Sequence, residues 1–463
     1  MKTIMKINNI RKSMLVMALA ASGLGLTSCE DEPDKYEISD GVPTVYYIRP
    51  VDVDSKDSLL TSASMSEYIC FVGDNMRSVI QVDFNDQTAV LNTSLITDHT
   101  LIVQVPGDIP ETVTDKVYLI CKKDTVAIDF EVTISAPTIS SMSNEWAAAG
   151  EEVTIIGDYF LSYDNYPMSI SVGDDFEMTM DDIIEYSKTS IVFEMPSDFP
   201  QNEDIYITTK YGSTKAPFQY MDNRGMLFDF DTPYDGVAGH VLGNHGWHDA
   251  AITSDENSLS GYYLQFGNGT ATMDGSTWDD THFSFEYWPG TWSYDFEYDG
   301  DWDGTGTWDG SGGGPKLCDI FDFSDWENKS FKFEMYIPSD YSWSAAPMQI
   351  IFAGTDKILY YDANNTFFHA QDGWPRALYM PWDTDDGYYT TDDKWETVTI
   401  PMTDFNKEYD GNKADGSFSS TDDFASLTMF IVRGSYDDAS VISEGTECTP
   451  IIRVDNIRLV PNE

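Results

Sequence analysis

Short runs of β-branched and aromatic residues, closed by Gly, Pro, Asn or Asp and recurring about every ten residues, most restrict how this chain can fold. Val153-Thr154-Ile155-Ile156, Ile205-Tyr206-Ile207-Thr208 and Phe331-Lys332-Phe333-Glu334-Met335 are examples. Helical periodicity is almost absent, so the chain reads as all-β, its strands paired into sandwiches.

A repeat organises the first half: a strand into a glycine, then a strand into a proline. The first copy runs Ile69-Cys70-Phe71-Val72-Gly73, Leu101-Ile102-Val103-Gln104-Val105-Pro106 and Val117-Tyr118-Leu119-Ile120. The second runs Val153-Thr154-Ile155-Ile156-Gly157, Ile191-Val192-Phe193-Glu194-Met195-Pro196 and Ile205-Tyr206-Ile207-Thr208. These predict tandem immunoglobulin-like sandwiches over residues 41–135 and 136–222. The second copy, with Gly150 to Phe160, Val172-Gly173 and Phe218-Gln219-Tyr220, resembles the IPT/TIG immunoglobulin-like fold of transcription factors and plexins; the first matches it loosely. Pro43 and Ala136-Pro137 open the copies, and proline has few backbone states to lose, so the joints read as short and stiff. A spacer role fits, because Trp146 is the only tryptophan before residue 240. That scarcity weakens the alternative of a sugar site in each repeat.

At the N-terminus Lys2, Lys6, Arg11 and Lys12 precede an apolar run from Met14 to Leu26, too short to span a bilayer, which marks residues 1–28 as an export signal. Leu26-Thr27-Ser28-Cys29 resembles a lipobox, which implies lipidation at Cys29 and attachment to outer-membrane lipid; the alternative is an ordinary cleaved signal with a chance cysteine. Glu30-Asp31-Glu32-Pro33-Asp34-Lys35 follows, and an acidic linker over residues 29–40 resembles the surface-export signal of glycan-foraging Gram-negative bacteria. The expected location is the outward face of the outer membrane.

With 79 acidic and 26 basic residues the formal charge is −53, which repels nucleic acid and disfavours acidic polysaccharides. A neutral ligand fits better, although the same charge also keeps a surface protein soluble. Besides Cys29 there are Cys70, Cys121, Cys318 and Cys448; Cys70 with Cys121 and Cys318 with Cys448 are in-domain pairings open to oxidation, but buried free thiols are the preferred reading. No Cys/His cluster suggests zinc.

From about Arg224 the composition changes: the other 11 of the 12 tryptophans lie between Trp247 and Trp395. The segment 223–463 opens with Met226-Leu227-Phe228-Asp229-Phe230-Asp231 and closes with Ile451-Ile452-Arg453-Val454-Asp455-Asn456-Ile457-Arg458-Leu459, strands that resemble those of β-jelly-roll carbohydrate-binding modules. Lipobox, tandem spacers and a larger tryptophan-rich terminal β-sandwich together resemble the surface glycan-binding lipoproteins of the starch-utilisation-system type, closest to the xyloglucan-binding surface protein B group. The resemblance implies capture of a neutral plant-type polysaccharide (xyloglucan, β-glucan or mannan), no enzymatic activity, no cofactor, and as partners a TonB-dependent transporter and its companion glycan-binding lipoprotein.

An indole laid on a pyranose buries the apolar C–H face and leaves the hydroxyls free, so exposed loop tryptophans are the candidate platforms. Trp288 and Trp292 flank Pro289-Gly290, and Trp302 and Trp308 sit in a glycine-rich loop from Asp299 to Gly310. Tyr341 and Trp343 occupy a turn before the strand Met348-Gln349-Ile350-Ile351-Phe352, and Trp374 and Trp382 bracket Pro375 to Pro381. Trp343 ranks first, because a strand behind it would hold the ring rigid. Arg376 is read as a donor to sugar hydroxyls or an ion-pair partner. Trp395, alternating along a strand, is read as core, Trp326 as structural, and Trp247 is undecided.

Asp299-Gly300-Asp301-Trp302-Asp303-Gly304 matches the first half of an EF-hand loop, but Gly310 stands where the closing carboxylate belongs, so no metal site is assigned; a structural calcium elsewhere has no locatable ligands. A glycoside hydrolase needs only two spaced carboxylates, which 79 acids supply by chance, and no nucleophile elbow or phosphate loop is present. His240, His245 and His248 read as incidental. A hydrolase and an adhesin for host protein remain the alternatives. Asp57-Ser58-Leu59 and Asp124-Thr125-Val126 resemble O-glycosylation sequons of this bacterial group.

Overall fold

A computed structural model describes residues 36–244, 250–276, 279–289, 315–354, 374–408, 411–431 and 445–462, except 53, 56 and 288. The chain divides into two compact units, Met1–Pro110 with Thr114–Val132, and Glu111–Val113 with Thr133–Glu463.

The first unit is a sandwich of two antiparallel sheets. One orders Thr44–Pro50, Tyr68–Asp74 and Thr100–Gln104; the other orders Gln87–Thr88, Val79–Phe84, Lys116–Cys121 and Thr125–Asp129. Side chains alternate faces along a strand, so Val117, Leu119 and Cys121 are buried, and the first two pack with Phe71, Val82 and Leu101. Cys70 and Cys121 are free thiols, as are Cys318 and Cys448 in the second unit.

The second unit begins with another sandwich. Thr138–Met142, Glu152–Asp158, Ser190–Glu194 and Ile183–Tyr186 form one sheet, and Phe176–Met178, Ser169–Val172, Asp204–Thr209 and Gly212–Gln219 the other. The repeat glycines have one physical reason in both copies. Gly73 pairs with Val45 and Gly157 with Ile139, each beside a bulge in the opening strand. A Cβ on Gly73 would lie 1.8 Å from the Thr44 carbonyl oxygen, and one on Gly157 would lie 2.0 Å from that of Thr138.

From Met226 a larger sandwich follows. Its six-stranded sheet orders Ala251–Thr253, Tyr263–Phe266, Ile452–Pro461, Lys329–Tyr336 and Trp395–Pro401, with Met226–Phe228 also paired to Ile452–Pro461. The facing sheet orders Ser284–Tyr287, Ser426–Ile431, Met348–Ala353 and Ala377–Tyr379. Phe331, Phe333, Met335, Val454, Ile457 and Leu459 fill the space between them. The protein is thus all-β, immunoglobulin-like sandwiches followed by a larger one.

The two central strands Lys329–Tyr336 and Ile452–Pro461 are buried on both faces, although their outer faces carry Lys332, Glu334, Arg453, Asp455 and Arg458. The turn around Glu145 of the preceding sandwich covers Lys332 and Arg458, while Asp255 and Ser260 of the same terminal sandwich meet Arg453 and Asp455. Glu145 accepts from Lys332 Nζ at 2.6 Å and from Arg458 Nη2 at 2.8 Å, while Arg458 also grips both oxygens of Glu334, at 2.6 and 2.9 Å. Backbone bonds fix the contact: Thr397 N donates to the Ser143 carbonyl, and Glu145 N to Thr397 Oγ1, both at 2.8 Å. Two carboxylates meet two cations, which offsets the desolvation that an unbalanced buried charge would suffer.

Two outcomes are expected. Glu145→Ala leaves Lys332 and Arg458 buried beside a single carboxylate and should lower stability by about 3–5 kcal/mol, with little salt dependence because the pair is shielded from solvent ions; denaturant titrations at low and high salt measure both. Asp455 is pushed up to about 8 by burial, with Glu334 and Asp231 adding to it against the Asn456 N–H. Its carboxyl holds a proton more tightly folded than unfolded, so its stabilising share is full below about pH 4 and is lost as the pH rises to about 8. Asp455→Asn should therefore match the parent near the acid end and gain on it progressively up to that pH, read by denaturation across the range.

Candidate functional site

Six of the tryptophans fall within described residues, and each is engaged in packing. Trp343 is 0% exposed; its Nε1 donates to the carbonyls of Ala345 (2.7 Å) and Ala346 (3.2 Å), and its ring leans on Tyr379. Trp382 is also buried and donates to the same Ala346 oxygen at 3.0 Å. The expectation that these two rings face outward is therefore corrected: both are core. The physical signal lay in the small residues beside Trp343, Ser344-Ala345-Ala346, which let the indole sink and turn their carbonyls to its N–H.

Trp374 is half-buried, its Nε1 donating to Phe352 O at 2.7 Å and its ring edge-on to Phe418, so it closes the core edge. Arg376 is fully enclosed and donates to Gln349 Oε1 at 2.7 Å, which corrects its reading as a sugar donor. Trp395 packs on Tyr263 and Tyr336 and donates to Asn257 O, and Trp326 lies against Phe424. Trp146 sits under the Arg458 guanidinium. Trp288, Trp292, Trp302 and Trp308 lie outside the described residues, as do Trp247, Trp278, Cys29 and the partial EF-hand segment.

The ends of the segment that carries four of these tryptophans are placed. The chain leaves the four-stranded sheet at Tyr287, whose buried hydroxyl donates to Pro315 O at 2.7 Å and so ties the exit to the return. Tyr287 pairs with Leu427 and Leu427 with Phe352, so the residues after Ala353 depart from the same end of the sheet.

A cavity of about 680 Å³ opens at the other end, beside Ala250, whose N–H donates to Ser284 O at 2.6 Å. Phe230, Leu242 and Ile252 give it apolar walls; Gln265, Asn268 and His282 bring polar groups. Tyr262, 51% exposed, lines it, and Tyr341, 38% exposed, lies against Gly269 next to Asn268. Among the described residues Tyr341 is the expected aromatic that stands exposed, while Trp374 is half-buried. Sequence reading passed over Tyr262, Gln265 and Asn268, which no local pattern marks. An apolar wall beside solvent-facing rings and carboxamides can hold a ring with an apolar face and a hydroxyl rim.

Residues 220–461 match the family model of the surface glycan-binding protein B xyloglucan binding domain, and residues 137–220 that of the IPT/TIG domain. The crystal structure of the surface glycan-binding protein PbSGBP-B from Prevotella bryantii is 57% identical, covers 91% of this chain and 99% of that one, and superposes with a TM-score of 0.82. The chain belongs to the surface glycan-binding protein B family.

A more distant structure, SGBP-B from a complex xyloglucan utilization locus in Bacteroides uniformis, is 14% identical over 91% of this chain and 100% of that one, with a TM-score of 0.37; the assignment rests on the Prevotella structure. A comparison with curated proteins returns no match. Membership in the surface glycan-binding protein B family makes the chain a glycan-binding protein, not a hydrolase.

Trp343→Ala should act through the fold. Emptying this site is expected to cost about 3–5 kcal/mol of stability, seen as a lowered melting temperature, while glycan affinity per folded molecule stays at the parent value in titration calorimetry.

Proposed function

We propose that this protein captures a neutral β-linked plant-type glycan at the cell surface, xyloglucan or a related β-glucan in first place, and holds it for an outer-membrane transporter. The observation that carries the reading is the match of residues 220–461 to a xyloglucan binding domain together with a 57% identical surface glycan-binding relative. The charge of −53 agrees with a neutral ligand.

Stacking is assigned to Trp288, Trp292, Trp302 and Trp308. The described tryptophans are committed to packing, and this segment returns to the sheet at a point fixed by Tyr287. The cavity with Tyr262 and Tyr341 supplies a further contact for a long chain. Anchoring through lipid on Cys29, with residues 41–222 as spacer, and partnership with a TonB-dependent transporter and a companion lipoprotein complete the proposal; the lipobox supports the anchor and the acidic linker over residues 29–40 supports surface export.

Affinity electrophoresis against xyloglucan, mixed-linkage β-glucan, mannan and a polyuronate tests the ligand class; retardation by the polyuronate alone would overturn it. Replacing Trp292, Trp302 or Trp308 by Ala should each cost about 1.5–3 kcal/mol of binding, roughly tenfold or more in affinity, without lowering the melting temperature. Unchanged affinity in all three removes the segment from the site. Cys29→Ala should abolish fatty-acid labelling and surface retention.

A further inference from the structure

The cavity beside Ala250 stands apart from the rest of this acidic chain in its charge. The sequence holds 79 acidic residues, yet among the described residues no Asp, Glu, Lys or Arg lines this space. An ion of either sign would enter without a counter-charge, so the lining favours an uncharged guest. Tyr262 and Ile252, 51% and 36% exposed, are apolar surface that the fold leaves open at the cavity wall. The volume, about 680 Å³, falls within the range of small-ligand sites, about 300–1,000 Å³.

Three polar side chains of the lining are fixed at one end and open at the other. Asn268 Oδ1 accepts from Thr270 N at 2.9 Å, Thr270 Oγ1 at 2.7 Å and Ala271 N at 2.8 Å. The oxygen is thereby filled and the amide plane set, while the exposed Nδ2 has no partner among the described residues. Gln265 is committed in the opposite sense: its Nε2 donates to Gly267 O at 3.1 Å, which leaves Oε1 as an acceptor. His282 Nδ1 lies 2.9 Å from Asp279 Oδ2, and in the neutral ring a proton on Nδ1 leaves Nε2 as an acceptor. Neither of these two acceptors is sealed from solvent. One donor and two acceptors beside apolar walls match a ring whose hydroxyls both accept and donate.

The turn that fixes Asn268 also fixes Tyr341. Gly269 has a φ of +73°, and a Cβ there would lie 2.5 Å from Tyr341 Cε1, so the half-open ring packs directly on the glycine. Amide and ring are neighbours on one turn, set before a ligand arrives, which lowers the ordering cost of binding. We propose that Asn268 is the donor of a sugar subsite in this cavity: its Nδ2 donates to an uncharged sugar unit seated against Tyr262, with Gln265 and His282 accepting from the hydroxyls. That the guest belongs to a glycan rests on the function proposed above; that it is uncharged and hydroxyl-bearing rests on the lining.

Asn268→Ser tests the donor, because serine can serve the same turn through its hydroxyl while withdrawing the amide. Titration calorimetry with a xyloglucan oligosaccharide and a mixed-linkage glucan oligosaccharide should show affinity lowered about two- to tenfold, with the melting temperature held. Tyr262→Ala, which removes an exposed ring, should lower affinity about tenfold or more. The direct readout is NMR of the protein isotope-labelled in its asparagine amides, the Asn268 signal being assigned by its loss in Asn268→Ser. That signal should shift to saturation in the parent, and still do so when Trp292, Trp302 and Trp308 are replaced together. If the parent binds while the Asn268 signal stays still and both variants bind as the parent does, the subsite is wrong and the proposed function stands. A loss of affinity in Asn268→Ser with no shift of the parent signal acts through the turn and overturns the donor role, as does a shifting signal in a protein whose variants bind unchanged. If the parent binds neither oligosaccharide, both readings fall.

Discussion

Arg458 is the residue on which the second unit turns. Its guanidinium is fully buried, bound by both oxygens of Glu334 on the neighbouring strand and by Glu145 from the preceding sandwich. A charge in that place is tolerable only while its partners surround it, so the IPT/TIG turn must stay seated on the outer face of the six-stranded sheet. The consequence reaches the sheet: Lys329–Tyr336 and Ile452–Pro461 alternate like strands with one wet face, yet both faces are dry, because the neighbouring sandwich covers Lys332 and Arg458 while Asp255, Ser260 and Tyr263 of the terminal sandwich meet Arg453 and Asp455.

That seating gives the IPT/TIG sandwich more than length to contribute. It supplies Glu145 to the network and the Trp146 ring beneath the Arg458 guanidinium, and its backbone pairs directly with Thr397. A spacer joined only by its prolines would leave the terminal sandwich free to reorient; one joined through a buried charge pair and three shared polar contacts carries it in a set pose. For a glycan-binding protein, a fixed pose lowers the ordering cost that every contact must first overcome.

Much of the fold was legible in the sequence because it is carried by local patterns. Alternation at Phe331-Lys332-Phe333-Glu334-Met335 became Lys329–Tyr336, and Val153 to Gly157 became Glu152–Asp158. The repeated glycines were visible as punctuation, and the structure supplies their reason, a carbonyl from the opening strand that a Cβ would strike. Trp395 was readable as core for the same cause, its place in an alternating strand. The site was less legible. Trp343 and Trp382 read as turn residues, which suggested exposure, but Trp343 bridges Tyr389, and whether a ring near a turn faces water depends on what folds over it.

The sequence by itself determined the all-β class, the repeat, the acidic field, and the concentration of tryptophan in the last portion, since period, composition and charge are properties of the chain however it folds. Only the tertiary structure decided which tryptophans are core, that Arg376 answers Gln349, and that Glu145 answers Arg458 across 313 positions. Those facts are distances between residues far apart in the chain, and burial is a property of the neighbours that arrive, which no stretch of local sequence contains.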